Sequence, residues 1–299
     1  TLLAACDMPP TDTSLNPQSS PAVALPDPTP PRATSARSAA LRQYLTQVQS
    51  SQLTSGLLRQ DGGGPDTPFT ADMLARNFEQ SGFLNEEGRK GAPRGGPSDL
   101  RGWSGPVRIG MAFGASVPPS QRVRDRSDVR AFAARLARST GRPVSTAGTP
   151  NFFVVFASED DRAETLDRIA PRLPGVTQSN LGALRDLPDD AYCAVAAYAS
   201  GADRTTYTAA VAVIRAENPD LLRLSCIHEE LAQGLGLAND SPNARPSIFN
   251  DDDEFALLTN HDDALLGMLY DARLAPGMAL DTARPIVRIL AREALEGPL

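Results

Sequence analysis

Hydrophobic positions along the chain change their spacing several times, and each change marks an element. Residues 38–60 (SAALRQYLTQVQSSQLTSGLLRQ) place Leu41, Leu45, Val48, Leu53 and Leu57 at roughly helical intervals. Asp61-Gly62-Gly63-Gly64-Pro65 then stops the pattern, which predicts a peripheral amphipathic helix. A glycine- and proline-rich break spans Asn85 to Pro97, so the compact domain is expected to start near Phe69, to carry a helix through Phe78 and to be fully entered at Trp103. Residues 106–112 (PVRIGMA) read as a strand, 127–139 as an amphipathic helix stopped by Gly141 and Pro143, and Phe152 to Ala157 as a buried strand. A helix through Ala163 to Leu173 follows, then two strand-like runs, 192–199 and 206–214, joined as a hairpin by Ser200-Gly201-Ala202-Asp203. The next helix is expected to start at Pro219-Asp220 and to run through LLRLSCIHEELAQGLGL, ending at Asn239-Asp240-Ser241-Pro242. After an irregular segment, two more helices (261–270 and 281–296) close the chain. Strands alternating with helices in this order predict an α+β fold, a mixed sheet packed on helices.

The N-terminal part follows a different rule. From Met8 to about Arg37 the chain is rich in Pro, Ser and Thr, with eight prolines between Pro9 and Pro31 and almost no large apolar residues. Such a segment cannot bury enough surface to fold and is expected to be an extended spacer. Ahead of it, Leu3-Ala4-Ala5-Cys6 matches the bacterial lipobox, in which small residues precede a cysteine that receives acyl chains. The chain is therefore read as starting inside a longer precursor, with Cys6 as the lipidation site; a chance cysteine after an apolar start is the other reading. Asp7 resembles the signal that retains lipoproteins in the inner membrane of some enteric bacteria. The expected organisation is a lipobox remnant of a signal peptide (1–6), a disordered tether (7–37), a peripheral helix (38–60) and a globular domain (69–299).

Composition removes several function classes. No apolar run approaches the roughly 20 residues of a membrane-spanning helix. A net charge of −7 over 299 residues, with pI near 5.0, argues against a nucleic-acid partner, because phosphate backbones are held by clustered Lys and Arg. The two histidines, His228 and His261, cannot furnish a three-histidine zinc site.

Candidate chemistry concentrates in residues 228–240. A zinc-peptidase helix uses H-E-x-x-H because residues four apart share a helical face, where two imidazoles hold the metal and the glutamate activates its water. Starting at His228, that template puts Ala232 at the second ligand position and fails. Starting one residue later gives Glu229, Glu230, Gln233, Gly236 and Asn239, the spacing H-E-x-x-H-x-x-G-x-x-H with base and glycine kept and all three ligand positions changed. With the order of elements, and with Met268 and Met278 in the C-terminal part, this layout looks like a metzincin-type metallopeptidase. More specifically, EELAQGLGLAND (229–240), SIFNDDDEFALLT (247–259) and LYDARLAPGM (269–278) resemble the DUF2927 family of proteobacterial lipoproteins, a domain of unknown function. The resemblance extends more weakly back to about residue 69. It implies a periplasmic or surface lipoprotein and supplies no activity.

Three readings of the site follow. Glu229, Gln233 and Asn239 (or Asp240) form either a hydrogen-bonded remnant serving binding or envelope assembly, or an oxygen-rich site for a divalent metal such as Ca²⁺ or Mg²⁺, with Glu230 as general base. In the third reading the lipoprotein is purely structural. The cofactor expectation is none, with a divalent metal as the alternative; the partners are a membrane through Cys6 and an envelope protein or peptide. His228 is expected at a surface or interface, and His261 in a helix-capping region. In the run Asp251-Asp252-Asp253-Glu254, one residue is expected to cap a short helix starting near Glu254, with calcium binding as the alternative. Asp271 is placed to contact Arg273. Cys193 and Cys226 remain once Cys6 is set aside; in an oxidising compartment they are expected to form a disulfide worth about 3–4 kcal/mol, against the rival of a Cys226 nucleophile paired with His228.

Overall fold

A computed structural model describes residues 33–84, 96–250 and 252–296. Cys6 and the lipobox, the tether as far as residue 32, most of the break at 85–97 and Asp251 lie outside the described residues.

Helix α1 (Ala36–Thr54) is followed by α2 (Ala71–Phe83), strand β1 (Val107–Phe113), α3 (Pro119–Thr140), β2 (Val144–Ser145), β3 (Phe152–Ala157), α4 (Arg162–Ile169) and the short α5 (Gly182–Arg185). The chain then forms the β4 (Cys193–Ala199) and β5 (Tyr207–Arg215) hairpin, and helices α6 (Asp220–Gln233), α7 (Asn260–Leu269) and α8 (Leu280–Glu296). The five strands make one mixed sheet in the order β2-β1-β3-β5-β4. The first four run parallel, and β4 pairs antiparallel with β5 at the edge. Parallel strands need helices on both faces. Accordingly Phe153, Val155, Val211 and Val213 pack under α4 and α5. Ile109, Phe152, Phe156 and Ile214 face the larger core built with α2, α3, α6, α7 and α8. All six residues of β3 are buried, which is why its sequence FFVVFA shows no polar alternation. No helix among the described residues is long and apolar enough to cross a membrane.

Four expectations change. Helix α1 stops at Thr54 and turns Leu53 outward, 46% exposed, because Leu58 and Arg59 instead take backbone bonds from their N–H groups to Asp253 and Glu254 (2.9 and 2.8 Å). Those bonds also remove the short helix expected near Glu254: Phe255 bridges Arg59, and Asp253 takes a left-handed φ of 56°. Helix α6 ends at Gln233, several residues earlier than its apolar pattern implies. His228 lies inside, stacked on the Phe132 ring of α3 at 4.0 Å, because its side of α6 is the one packed on α3.

Helix α1 lies against the β5–α6 connection. Leu41 and Leu45 are buried. Ser38 Oγ donates to Glu217 Oε1 (2.7 Å), Arg42 donates to the Ala216 carbonyl (3.1 Å), and Gln49 Oε1 accepts from Leu222 N–H (3.0 Å).

Candidate functional site

Helix α6 starts after Pro219, whose extended backbone (ψ 165°) sets the entry, and Asp220 in its first turn accepts from Arg223 (2.7 Å). Arg223 also donates to the buried Asp125 of α3 (2.6 Å). Burial raises the Asp125 carboxyl to about 6, and the adjacent Arg223 charge opposes that rise. Further along α6, Cys226, Glu229, Glu230 and Gln233 stand at i, i+3, i+4 and i+7, and so share one stripe of the helix.

The end of α6 is shaped by two glycines. A Cβ on Gly234 would meet the Phe152 ring at 2.5 Å, and Gly236 has φ +137° with its Cβ direction blocked by the Arg101 carbonyl. Helix termini leave carbonyls without intrahelical partners. Here Trp103 Nε1 donates to the Gly234 carbonyl (2.9 Å) and Tyr270 Oη to that of Leu235 (2.7 Å). Burial raises the Tyr270 phenol well above its usual range, which keeps it a donor.

Cys193 at the head of β4 and Cys226 on α6 form a disulfide, with Cα atoms 5.9 Å apart. It ties the edge strand to the helix. One carboxylate oxygen each from Glu229 and Glu230 and the Cys193 sulfur lie within 4.8 Å of one another. Glu230 is 4% exposed and Glu229 half-buried. Carboxylates in unlike surroundings can divide acid and base roles, so the pair is the part of the site with chemical capacity. Gln233 donates through Nε2 to Asp240 Oδ1 (2.8 Å), closing the turn by a direct bond. Asn239 turns its amide to the Gln80 carbonyl of α2 (3.3 Å) and to that of Asp240 (2.9 Å). Its backbone N–H bonds Ser81 O (3.3 Å), and Ser241 Oγ bonds Gln80 Oε1. The structure thus brings Glu229 and Glu230 together, links Gln233 to Asp240, and commits Asn239 to α2.

The neighbouring polar residues are structural. Leu258 N–H donates to His228 Nδ1 (3.1 Å), and burial, helped by the Arg135 charge, lowers the imidazole to about 3. His261 is fully buried in the first turn of α7, edge-on to Phe69 and 3.0 Å from the Asn77 amide. Thr259 caps α7 and Asp262 completes the capping box, accepting from the N–H groups of Thr259 (2.9 Å) and Ile248 (3.1 Å) and from Ser247 Oγ (2.5 Å). In the acidic run, Asp253 accepts from Gln52 (2.6 Å) and Glu254 pairs with Arg59 and Arg245. Arg273 contacts Asp271 (2.8 Å) as expected, and also Glu293. A separate cleft of about 770 Å³ between the start of α1 and α4 is lined by Arg37, Glu159, Arg162, Arg185 and Asp189. Its arginines are all engaged with carboxylates. Trp103, Tyr270 and Gln80 had no sequence signal pointing to α6, since each reaches it from more than thirty residues away.

No curated protein and no solved structure matches the chain. The family described as Protein of unknown function (DUF2927) matches residues 71–289, which covers every element from α2 into α8, and the chain belongs to that family.

Proposed function

We propose that this is a lipoprotein anchored through Cys6 and facing the periplasm, whose domain is a catalytically divergent, metzincin-like module that binds an extended segment of an envelope protein. The fold supports a metzincin-like reading through its order: parallel strands, an antiparallel edge strand leading by a hairpin to β5, then a helix that carries the candidate site. The disulfide supports an oxidising compartment. The observation that carries the non-catalytic reading is the Gln233–Asp240 bond. At the position where a zinc helix has its second imidazole, the side chain is tied directly to the loop beyond the turn. Glu229, Gln233 and Asn239 do not fit zinc, which prefers imidazole and thiolate, and two of the three are held by protein groups. Among the described residues β4 is paired only along its β5 side, and an open sheet edge can take up an extended peptide as an added strand.

Oxidised protein purified without chelator is expected to contain no stoichiometric metal and to cleave no peptide. A photo-crosslinker at Ala199 on the open edge is expected to capture an envelope protein in cells, and Cys6→Ser is expected to release the protein from the membrane fraction. Bound metal together with cleavage that Glu230→Gln abolishes would establish the alternative, an active metallopeptidase with Glu230 as base; absence of any crosslink would leave the purely structural role.

A further inference from the structure

Cys226, Glu229 and Glu230 project from one stripe of α6, and Cys193 meets them from the head of β4. Three of these donors, the Cys193 sulfur and one oxygen from each glutamate, lie within 4.8 Å of one another, and the fourth, Cys226 Sγ, is bonded to the first. Ligand atoms held about 2.0–2.3 Å from a tetrahedral zinc ion are about 3.3–3.8 Å apart. Reduction frees both cysteine side chains to turn about their Cα–Cβ bonds, which is the movement that would bring Cys226 Sγ to the three donors already grouped. In the disulfide state neither sulfur is a thiolate, and only the two carboxylates remain as donors.

We infer that the pair Cys193/Cys226 has a second state, in which both thiolates join Glu229 and Glu230 to hold a zinc-class divalent ion. Reduction by a dithiol proceeds by thiolate attack on one sulfur: the S–S bond breaks, the dithiol is oxidised to its own disulfide, and two protons and two electrons end on Cys193 and Cys226. Binding of the ion then displaces the two thiol protons to solvent. Two thiolates and two carboxylates supply the soft and oxygen donors of a closed four-ligand site. Cys193 and Glu229 are half-buried, so an ion has an approach from solvent, whereas Cys226 and Glu230 form the inner wall. The ion takes over the tie that reduction breaks, so strand and helix stay linked in both states. The redox state thereby changes the charge and shape next to the open edge of β4 without releasing that strand. This inference concerns the reduced protein and does not depend on the binding role proposed for the oxidised one.

The test uses the full chain, oxidised or reduced with a phosphine, titrated with Co²⁺ and with Zn²⁺ in competition with a chromophoric chelator. Reduced protein is expected to bind one equivalent, to show thiolate-to-cobalt charge transfer with the intense visible bands of tetrahedral Co²⁺, and to resist thiol alkylation once Zn²⁺ is bound. Oxidised protein is expected to bind none. The double variant Glu229→Gln/Glu230→Gln, which keeps both cysteines, is expected to bind Zn²⁺ about tenfold more weakly or worse. Circular dichroism follows the fold throughout. If reduction unfolds the protein, Zn²⁺ must restore the folded signal in the wild type and not in the double variant. No binding by the reduced protein, equal binding by the oxidised protein, equal affinity of the double variant, or failure of Zn²⁺ to refold a reduced and unfolded chain would each overturn the inference.

Discussion

Acidification should destabilise the protein through His228, by an amount set by its burial. In the unfolded chain this imidazole titrates near the ordinary 6.5, whereas in the fold it is held at about 3. Its ring lies 4.0 Å from that of Phe132, with Nδ1 accepting from Leu258 N–H, so a proton on Nδ1 would both charge a buried ring and destroy that hydrogen bond. The folded pKa is depressed, so the unfolded state binds more protons below 6.5. The resulting stability is present at neutral pH and lost as pH falls toward 3. Between pH 7 and pH 5 the loss is about 2 kcal/mol, from about 1.4 kcal/mol per pH unit below the unfolded value. His228→Phe keeps the ring contact and removes the titration, but leaves Leu258 N–H buried without its acceptor, at a cost of about 1–3 kcal/mol. Urea unfolding at both pH values, followed by the fluorescence of Trp103, the only tryptophan in the chain, measures the gap between wild type and variant. Carboxylates common to both proteins cancel in that gap. It should narrow by about 2 kcal/mol on going to pH 5. A gap that stays constant would refute the assignment of His228 as a buried neutral ring.

Other perturbations have equally defined outcomes. Gly236→Ala forces a side chain into φ +137° against the Arg101 carbonyl and should cost about 3 kcal/mol or more in thermal or urea unfolding. Removing the disulfide by Cys193→Ala/Cys226→Ala, across a separation of 33 residues, should cost about 4 kcal/mol in the chain-entropy account, visible as a lower urea midpoint than that of the oxidised wild type. Arg223→Met strands the Asp125 carboxylate, which is fully buried, and should destabilise by about 3–5 kcal/mol near neutral pH. Burial already raises Asp125 to about 6 against the opposing Arg223 charge, so losing that charge pushes the carboxyl higher still, and the variant should regain stability relative to the wild type as pH falls and the carboxyl takes a proton. A pH-independent loss in this variant would contradict that account.

Much of the architecture was readable locally. The uninterrupted apolar run of β3, the Gly141 stop of α3 and the hairpin around Gly201 each follow from side-chain and backbone preferences within a few residues. Setting Cys6 aside leaves two cysteines, enough to anticipate the Cys193–Cys226 bond. The four-residue spacing of Glu229 and Gln233 put both on one face of α6, because helical periodicity is a local property.

Helical periodicity says which residues share a face but not what that face meets. The 3.6-residue repeat placed His228 off the Glu229 face without revealing that α3 packs there and buries it against Phe132. Nor could it show that Asn239 reaches back 159 residues to Gln80, or that Leu58–Arg59 would take the backbone of 253–254 from its expected helix. Those outcomes are long-range hydrogen bonds and ring contacts, whose partners are chosen only when the sheet order brings distant segments together. The sequence alone determined most of the strands and helices, the shared face of Glu229 and Gln233, and the cysteine pairing. Tertiary packing decided that the stripe faces β4, that two carboxylates sit beside the disulfide, and that Gln233 and Asn239 are tied into the protein itself.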